Sequence, residues 1–281
     1  MNSKSDPPLP PLYKGGFPNT KSQISNLKSQ INIMPDNELK LEEQALSQAA
    51  EIGITSQLEA VEDINVNVRT DLLKMVQGKA DSVSVVGQGL VVQKDIRVQE
   101  MELHTSNIGI DVLGSLFGGE VELDHPTDAS IRVVLKEADL NRAMNSDFVR
   151  RKMPSIDLHV DDELVTLKPQ QMEMQLRGNN QIMFSGDFLL QTEGKTEELA
   201  FTASAIPRTD EHPVLLQGLY CTKGKGITLE LAAAFMEKAK ELMNLPYFEY
   251  EGSAFRIKNM VVGEGSLTLE VEAYMRQIPS L

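Results

Sequence analysis

Four histidines, one cysteine and two short runs of charge are the residues of this chain with the chemistry to act. His104, His125, His159 and His212 stand at least 21 residues apart. A zinc-binding helix needs two histidines four residues apart, so that motif is missing. Each histidine is expected on a surface or a strand face. Asp161-Asp162-Glu163 offers carboxylates for a cation or for acid–base work. Neighbours on an extended chain point to opposite faces, so the run reads as a solvated hairpin tip. Cys221, beside Thr222 and Lys223, has a cation near enough to lower a thiol pKa. With no histidine close in sequence, it is expected to be a buried structural thiol. Gly87-Gln88-Gly89, Gly224-Lys225-Gly226 and Gly263-Glu264-Gly265 do not continue into a phosphate loop. They read as hairpin turns. No Gly-x-Ser-x-Gly elbow occurs. No catalytic residue, metal or cofactor is expected.

Charge narrows the partners further. Lys4, Lys14, Lys21 and Lys28 against Asp6 give residues 1–33 a charge of +3. That leaves −17 on the remainder of a chain whose total is −14. Such a body does not bind nucleic acid by neutralising phosphates. A strongly anionic membrane also repels it, unless a local patch overrides the mean. Arg150-Arg151-Lys152 is the densest basic patch. At a helix C-terminus these cations complement the helix dipole; as a ligand site they would hold a phosphate, for which arginine offers two parallel donors.

The apolar inventory is the other positive signal. Thirteen methionines and no tryptophan make an adaptable interior. Met75, Val76, Leu113, Leu116, Phe117, Phe235, Met236, Leu242 and Met243 fall on helical segments. On pattern alone they fill a core. No apolar run approaches the roughly 20 residues of a membrane span, and the N-terminus has no apolar signal region. One cysteine excludes an internal disulfide, and the expected setting is cytoplasmic.

Elements capable of placing these residues follow from periodicity. A helix is expected over 37–52, with Asp36 as cap and Gly53 near its end. Ile64, Val66 and Val68 alternate as a strand. Thr70 or Asp71 caps a short helix through Val76 that Gly78 ends. A phase slip at Glu100, before Met101 and Leu103, predicts a β-bulge. Strands are expected around 120–123 and 130–136, then one helix from Glu137 through Leu140, Met144, Phe148 and Val149. Meander strands follow, with turns at Asp161-Asp162, at Arg177-Gly178-Asn179-Asn180 and at Gly186. Thr228 caps a helix over 228–244, and two strands close the chain. About ten to twelve antiparallel strands and three or four helices make the class α+β, mostly antiparallel β. Helices 37–52 and 228–244 are the candidates for a central pair. Periodicity equally allows an open α+β sandwich.

Three patterns carry a family resemblance. Leu72-Leu73-Lys74-Met75-Val76-Gln77-Gly78 is followed by Asp81-Ser82-Val83. Ile108-Gly109-Ile110-Asp111-Val112-Leu113-Gly114 continues to Gly118-Gly119. Val133-Val134-Leu135-Lys136-Glu137-Ala138-Asp139-Leu140-Asn141 closes the stretch. In order and spacing they resemble the LmeA-like phospholipid-binding family, over roughly Leu39 to Pro279. The resemblance implies a strongly curved sheet wrapped around helices, the TULIP-like lipid-binding fold. It also turns the apolar set above from core into a lipid groove; Arg150, Arg151 and Lys152 are then the candidates for its headgroup contact.

The expected function is therefore non-enzymatic binding, transfer or sensing of a phospholipid or glycolipid at a membrane surface. Peripheral contact with an inner or thylakoid membrane fits the lack of a signal peptide. Two alternatives stand: a scaffold that receives a partner helix in an apolar groove, and an accessory factor of envelope-glycan assembly. Residues 1–33 read as a separate tail, Pro-rich at Pro7-Pro8-Leu9-Pro10-Pro11, with Lys21-Ser22-Gln23-Ile24 repeated as Lys28-Ser29-Gln30-Ile31. They resemble translated intergenic repeats of cyanobacteria, which points to a cyanobacterial-type member starting at Met34. The expected domain is then 34–281.

Overall fold

Alternation of apolar and polar residues dominates this chain, and its consequence is two antiparallel sheets. The computed structural model describes residues 41–109, 122–153, 155–161, 163–224, 228–243, 247–250 and 252–277. All of them fall in one unit, Lys40–Leu281. Among the described residues there are twelve strands and five helices. The first sheet has the order β1-β2-β3-β4-β12-β11-β10. Its strands are β1 (Asp63–Arg69), β2 (Lys79–Gln93), β3 (Ile96–Gly109), β4 (Glu122–Lys136), β10 (Phe248–Tyr250), β11 (Ser253–Gly263) and β12 (Ser266–Gln277). The second is a five-stranded curled half-barrel of sequential strands. It comprises β5 (Ile156–Val160), β6 (Glu163–Leu176), β7 (Ile182–Thr192), β8 (Lys195–Ile206) and β9 (Leu215–Lys223).

Among the described residues five helices accompany these sheets, and one of them packs on the inner face of the half-barrel. They are α1 (Leu41–Gln57), α2 (Leu72–Val76), α3 (Glu137–Met144), α4 (Asp147–Lys152) and α5 (Leu229–Met243). α1 runs beside the free edge of β1. Ser47 Oγ accepts the Val68 amide at 3.0 Å, and Glu43 Oε1 accepts the Thr70 amide at 3.0 Å. α3 treats β6 in the same way. Glu137 Oε2 accepts Leu176 N at 2.6 Å; Asn141 clamps Met174 and Asn145 clamps Met172, each through both amide groups. Open strand edges invite pairing with other chains, and here helix side chains occupy those groups.

A joint connects the sheets around α3. Gly265 N donates to Leu176 O at 2.8 Å, Glu137 N to Gly265 O at 2.9 Å and Met260 N to Arg208 O at 2.9 Å. Met174, Leu176 and Ile182 of the half-barrel share a buried cluster with Val262 and Leu267 of the larger sheet. Gly178, at φ +76°, turns the chain there; a Cβ would sit 3.0 Å from Glu264 N.

Several local expectations are corrected. The helix expected from Glu137 to Val149 is two helices. Asn145 turns its side chain to β6, and Ser146 Oγ starts α4 by accepting the Val149 amide at 3.2 Å. No bulge sits at Glu100, whose pairing with Gln88 and Val134 is in register; the irregularity lies at Val91–Gln93. The pattern inverts because Arg97, on the inward phase, meets the buried carboxylate of Asp139 at 3.1 Å. The two stretches expected around 120–136 form the single strand β4. Gly87 and Gly89 lie within β2, and Gly186 within β7, where a Cβ would meet the Phe188 ring at 2.7 Å. Cys221 is exposed on the edge strand β9, not buried. α1 continues through Gly53 to Gln57, and the residues expected to start it lie outside those described. Other readings hold: Asp71 caps α2 by accepting Lys74 N at 2.9 Å, Gly78 follows at φ +72°, and Gly263 pairs with Ser266 across a hairpin. The four histidines are exposed.

Candidate functional site

Cross-strand register builds one apolar face on the seven-stranded sheet. Val85, Leu103, Ile131, Val271 and Ile257 are successive partners across five strands. The next row runs Gly87, Met101, Val133, Leu269 and Met260. At one end Leu46, Ala50 and Ile54 of α1 cover Val66, Val68 and Val85. At the other, Leu140 and Met144 of α3 cover Val262 and Leu267. Between these plugs Met101, Leu103, Ile131, Val133, Leu269, Val271 and Ile257 remain half-buried. Strands spaced about 4.8 Å apart make this open bed roughly 14 Å wide over β3, β4, β12 and β11. The opposite face is mixed: Arg132 pairs with Glu102 at 3.4 Å and Lys258 with Glu272 at 3.2 Å, and Val86, Val261 and Tyr274 stand exposed among them. A depression of about 580 Å3 lies near the Tyr247 end of this sheet, lined by residues of both phases, among them His104, Tyr247, Phe255, Arg256, Ala273 and Tyr274. Its lining mixes three alanines, Phe255 and two tyrosines with Asp128, Arg256 and Glu272, whereas the two rows above are apolar throughout.

The half-barrel presents a similar inner face, but it is filled. Leu158, Val165, Leu167, Phe188, Leu199 and Phe201 are buried beneath Leu231, Ala234 and Phe235 of α5. Phe201 and Phe235 stack at 5.0 Å between ring centroids, and Phe188 meets them at 5.4 and 6.3 Å. Thr228 Oγ1 starts this helix by accepting the Leu231 amide.

Over residues 39–272 the sequence matches the model of the LmeA-like phospholipid-binding proteins. The chain belongs to that family. It is a family of lipid binders rather than of enzymes. No curated protein and no solved structure matches the chain. Among the described residues no three His, Cys, Asp or Glu side chains gather to hold a metal, and no helix is long and apolar enough to cross a membrane.

One of the three segments that carry the family likeness, Val133 to Asn141, runs from the half-buried face at Val133 into the joint. Glu137 and Asn141 close the β6 edge, while Asp139 sits buried between Arg97 and Arg142, at 3.1 and 3.0 Å. Arg97 also reaches Glu62 at 2.6 Å, and that hydrogen bond raises the guanidinium pKa above its ordinary value.

The residues singled out from the sequence fall in different places. Met75 is half-buried and Val76 is 80% exposed on α2, which packs on β2. Phe235 sits in the half-barrel plug, and Met236 beside it is exposed. Leu242 and Met243 belong to α5, but their side chains lie outside those described, as do Leu113, Leu116 and Phe117 altogether. Arg150, Arg151 and Lys152 are exposed in the last turn of α4, with the Lys152 ammonium 4.4 Å from the Phe148 ring centroid. α2 packs on β2 of the larger sheet and α5 on β5 and β9 of the half-barrel. The bed residues were visible in the sequence only as ordinary inward strand positions. The usable signal was the shortage of amphipathic helices to cover two apolar sheet faces.

Proposed function

We propose that the half-buried face of the seven-stranded sheet holds the acyl chains of a phospholipid or glycolipid, without chemical conversion. The observation that carries this is the contrast of faces. Seven aliphatic or thioether side chains in unbroken cross-strand rows stay half-buried between two helical plugs, and the reverse side carries ion pairs among its apolar residues. Binding sites for such ligands are mostly apolar with few polar groups. In this reading the domain spans 34–281, and the curled sheets with their end helices form a TULIP-like carrier. Transfer between membranes or sensing at one membrane would both use the same bed. The basic triplet of α4 supplies the headgroup contact.

The test fills the bed without emptying the core. Ile131→Trp and Val271→Trp enlarge half-buried side chains, so folding stability should hold while uptake of fluorescent phospholipid by delipidated protein is lost. Phe235→Leu, in the plug, should leave uptake intact. Native mass spectrometry of the purified wild type should show co-purified lipid, absent from the filled variants. A wild type that takes up no lipid, yet captures an amphipathic helical peptide, would replace this reading with the scaffold one.

A further inference from the structure

α2 spends little of its apolar surface on the core: Met75 alone of its apolar residues is half-buried. Leu72, Leu73 and Val76 are 59, 72 and 80% exposed, and no residue of the helix is buried. Helices ordinarily turn such residues inward. The helix is nonetheless firmly held. Asp71 accepts the Lys74 amide at 2.9 Å, and the Lys74 ammonium lies 2.5 Å from Asp81 and 3.5 Å from Asp71. Gln77 and Gly78 donate back to Lys74 O and Met75 O. A rigid turn thus presents three aliphatic side chains at the end of the sheet, between β1 and β2.

We propose that α2 is a membrane-docking tip, whose Leu72, Leu73 and Val76 enter the acyl boundary of a bilayer. The proposal rests on the phospholipid reading only in that docking brings the sheet to its lipid source. Area argues against a protein partner. A stable interface takes about 800 Å2 from each side, and three side chains ringed by Asp71, Lys74 and Asp81 fall far short. A fluid bilayer needs no matching surface, and it rewards a few buried aliphatic groups. Charge argues against adsorption by basic residues. Lys74 is paired with Asp81 and Lys79 with Asp124 at 3.8 Å, on a chain of formal charge −14. Docking is therefore apolar: it needs no anionic lipid and is little weakened by salt, which screens only exposed charge.

The chain has no tryptophan, so Leu73→Trp adds a single reporter at an exposed position. On mixing with phosphatidylcholine vesicles, its emission should shift to the blue and be quenched by brominated acyl chains, at low and high salt alike. The triple change Leu72→Ser, Leu73→Ser and Val76→Ser should lower vesicle flotation by roughly tenfold or more and leave the melting temperature in place. Uptake of a short-chain phosphatidylcholine below its aggregation threshold should be equal in wild type and triple variant. An unshifted emission from the Leu73→Trp variant overturns the tip, as does vesicle binding that salt abolishes or that the triple variant retains. If monomeric lipid is never taken up while the emission shifts, the bed is wrong and the tip stands. Uptake with no shift keeps the bed and removes the tip.

Discussion

The half-barrel and the seven-stranded sheet begin from the same material and end differently. Both offer an inner face of Val, Leu, Ile, Phe and Met, read out by strand alternation. In the half-barrel, α5 lays Leu231, Ala234 and Phe235 onto Phe188 and Phe201, and that face is closed. On the larger sheet, α1 and α3 reach only the two ends, and seven side chains between them stay half-buried. An apolar residue list therefore does not locate a binding face. The placement of helices decides which apolar surface is closed core and which stays half-buried.

Truncation should separate the two regions by the largest margin. Phe201 is buried within an aromatic cluster, so Phe201→Ala should cost about 3–5 kcal/mol. Val271→Ala, on the half-buried bed, should cost less than about 1 kcal/mol. Urea unfolding of both variants measures the difference, and equal losses would dissolve the distinction between plug and bed. Lipid should sharpen the contrast further, since a ligand bound only by the native state raises its stability.

A smaller effect is expected at the joint. Asn141→Ala removes both hydrogen bonds to Met174 and leaves a strand edge unsatisfied, a loss of about 2 kcal/mol. Unlike Phe201→Ala, it should also raise hydrogen exchange along Met172–Leu176 without loosening β8. The smallest effect belongs to α4. If Arg150 and Arg151 only complement the helix end, replacing both with Ala should cost about 0.3–1 kcal/mol per charge. With a headgroup role, the double variant should bind anionic lipid less well while keeping its affinity for neutral lipid. Equal affinity of wild type and variant for both lipids removes the triplet from the site.

Much of the fold was readable in the sequence because its signals are local. Strand alternation at Ile64, Val66 and Val68, the Asp71 and Thr228 caps and the Gly263-Glu264-Gly265 turn all work within a few residues. Misreadings came where a distant partner reversed a local sign. Arg97 points inward because Asp139 waits there, and Asn145 breaks a helical run because Met172 binds its amide. Gly87 and Gly89 resemble turn residues, yet they lie in mid-strand. The candidate bed was the least legible part. Ile131 and Val271 look like any core strand residues, and among the described residues no helix buries them fully.

The edge caps of α1 and α3 work as verniers. Four residues of helix rise about 6.0 Å and two residues of strand about 6.7 Å, so side chains at every fourth helical position nearly track alternate strand amides. Glu43 and Ser47 use two such marks, and Glu137, Asn141 and Asn145 use three. The scales drift by roughly 0.7 Å per mark. A fourth mark would sit about 2 Å out of step, beyond what a hydrogen bond tolerates. Seals of this kind are therefore short by arithmetic, and the length of strand left open beside a helix is bounded by the pitch of the helix itself.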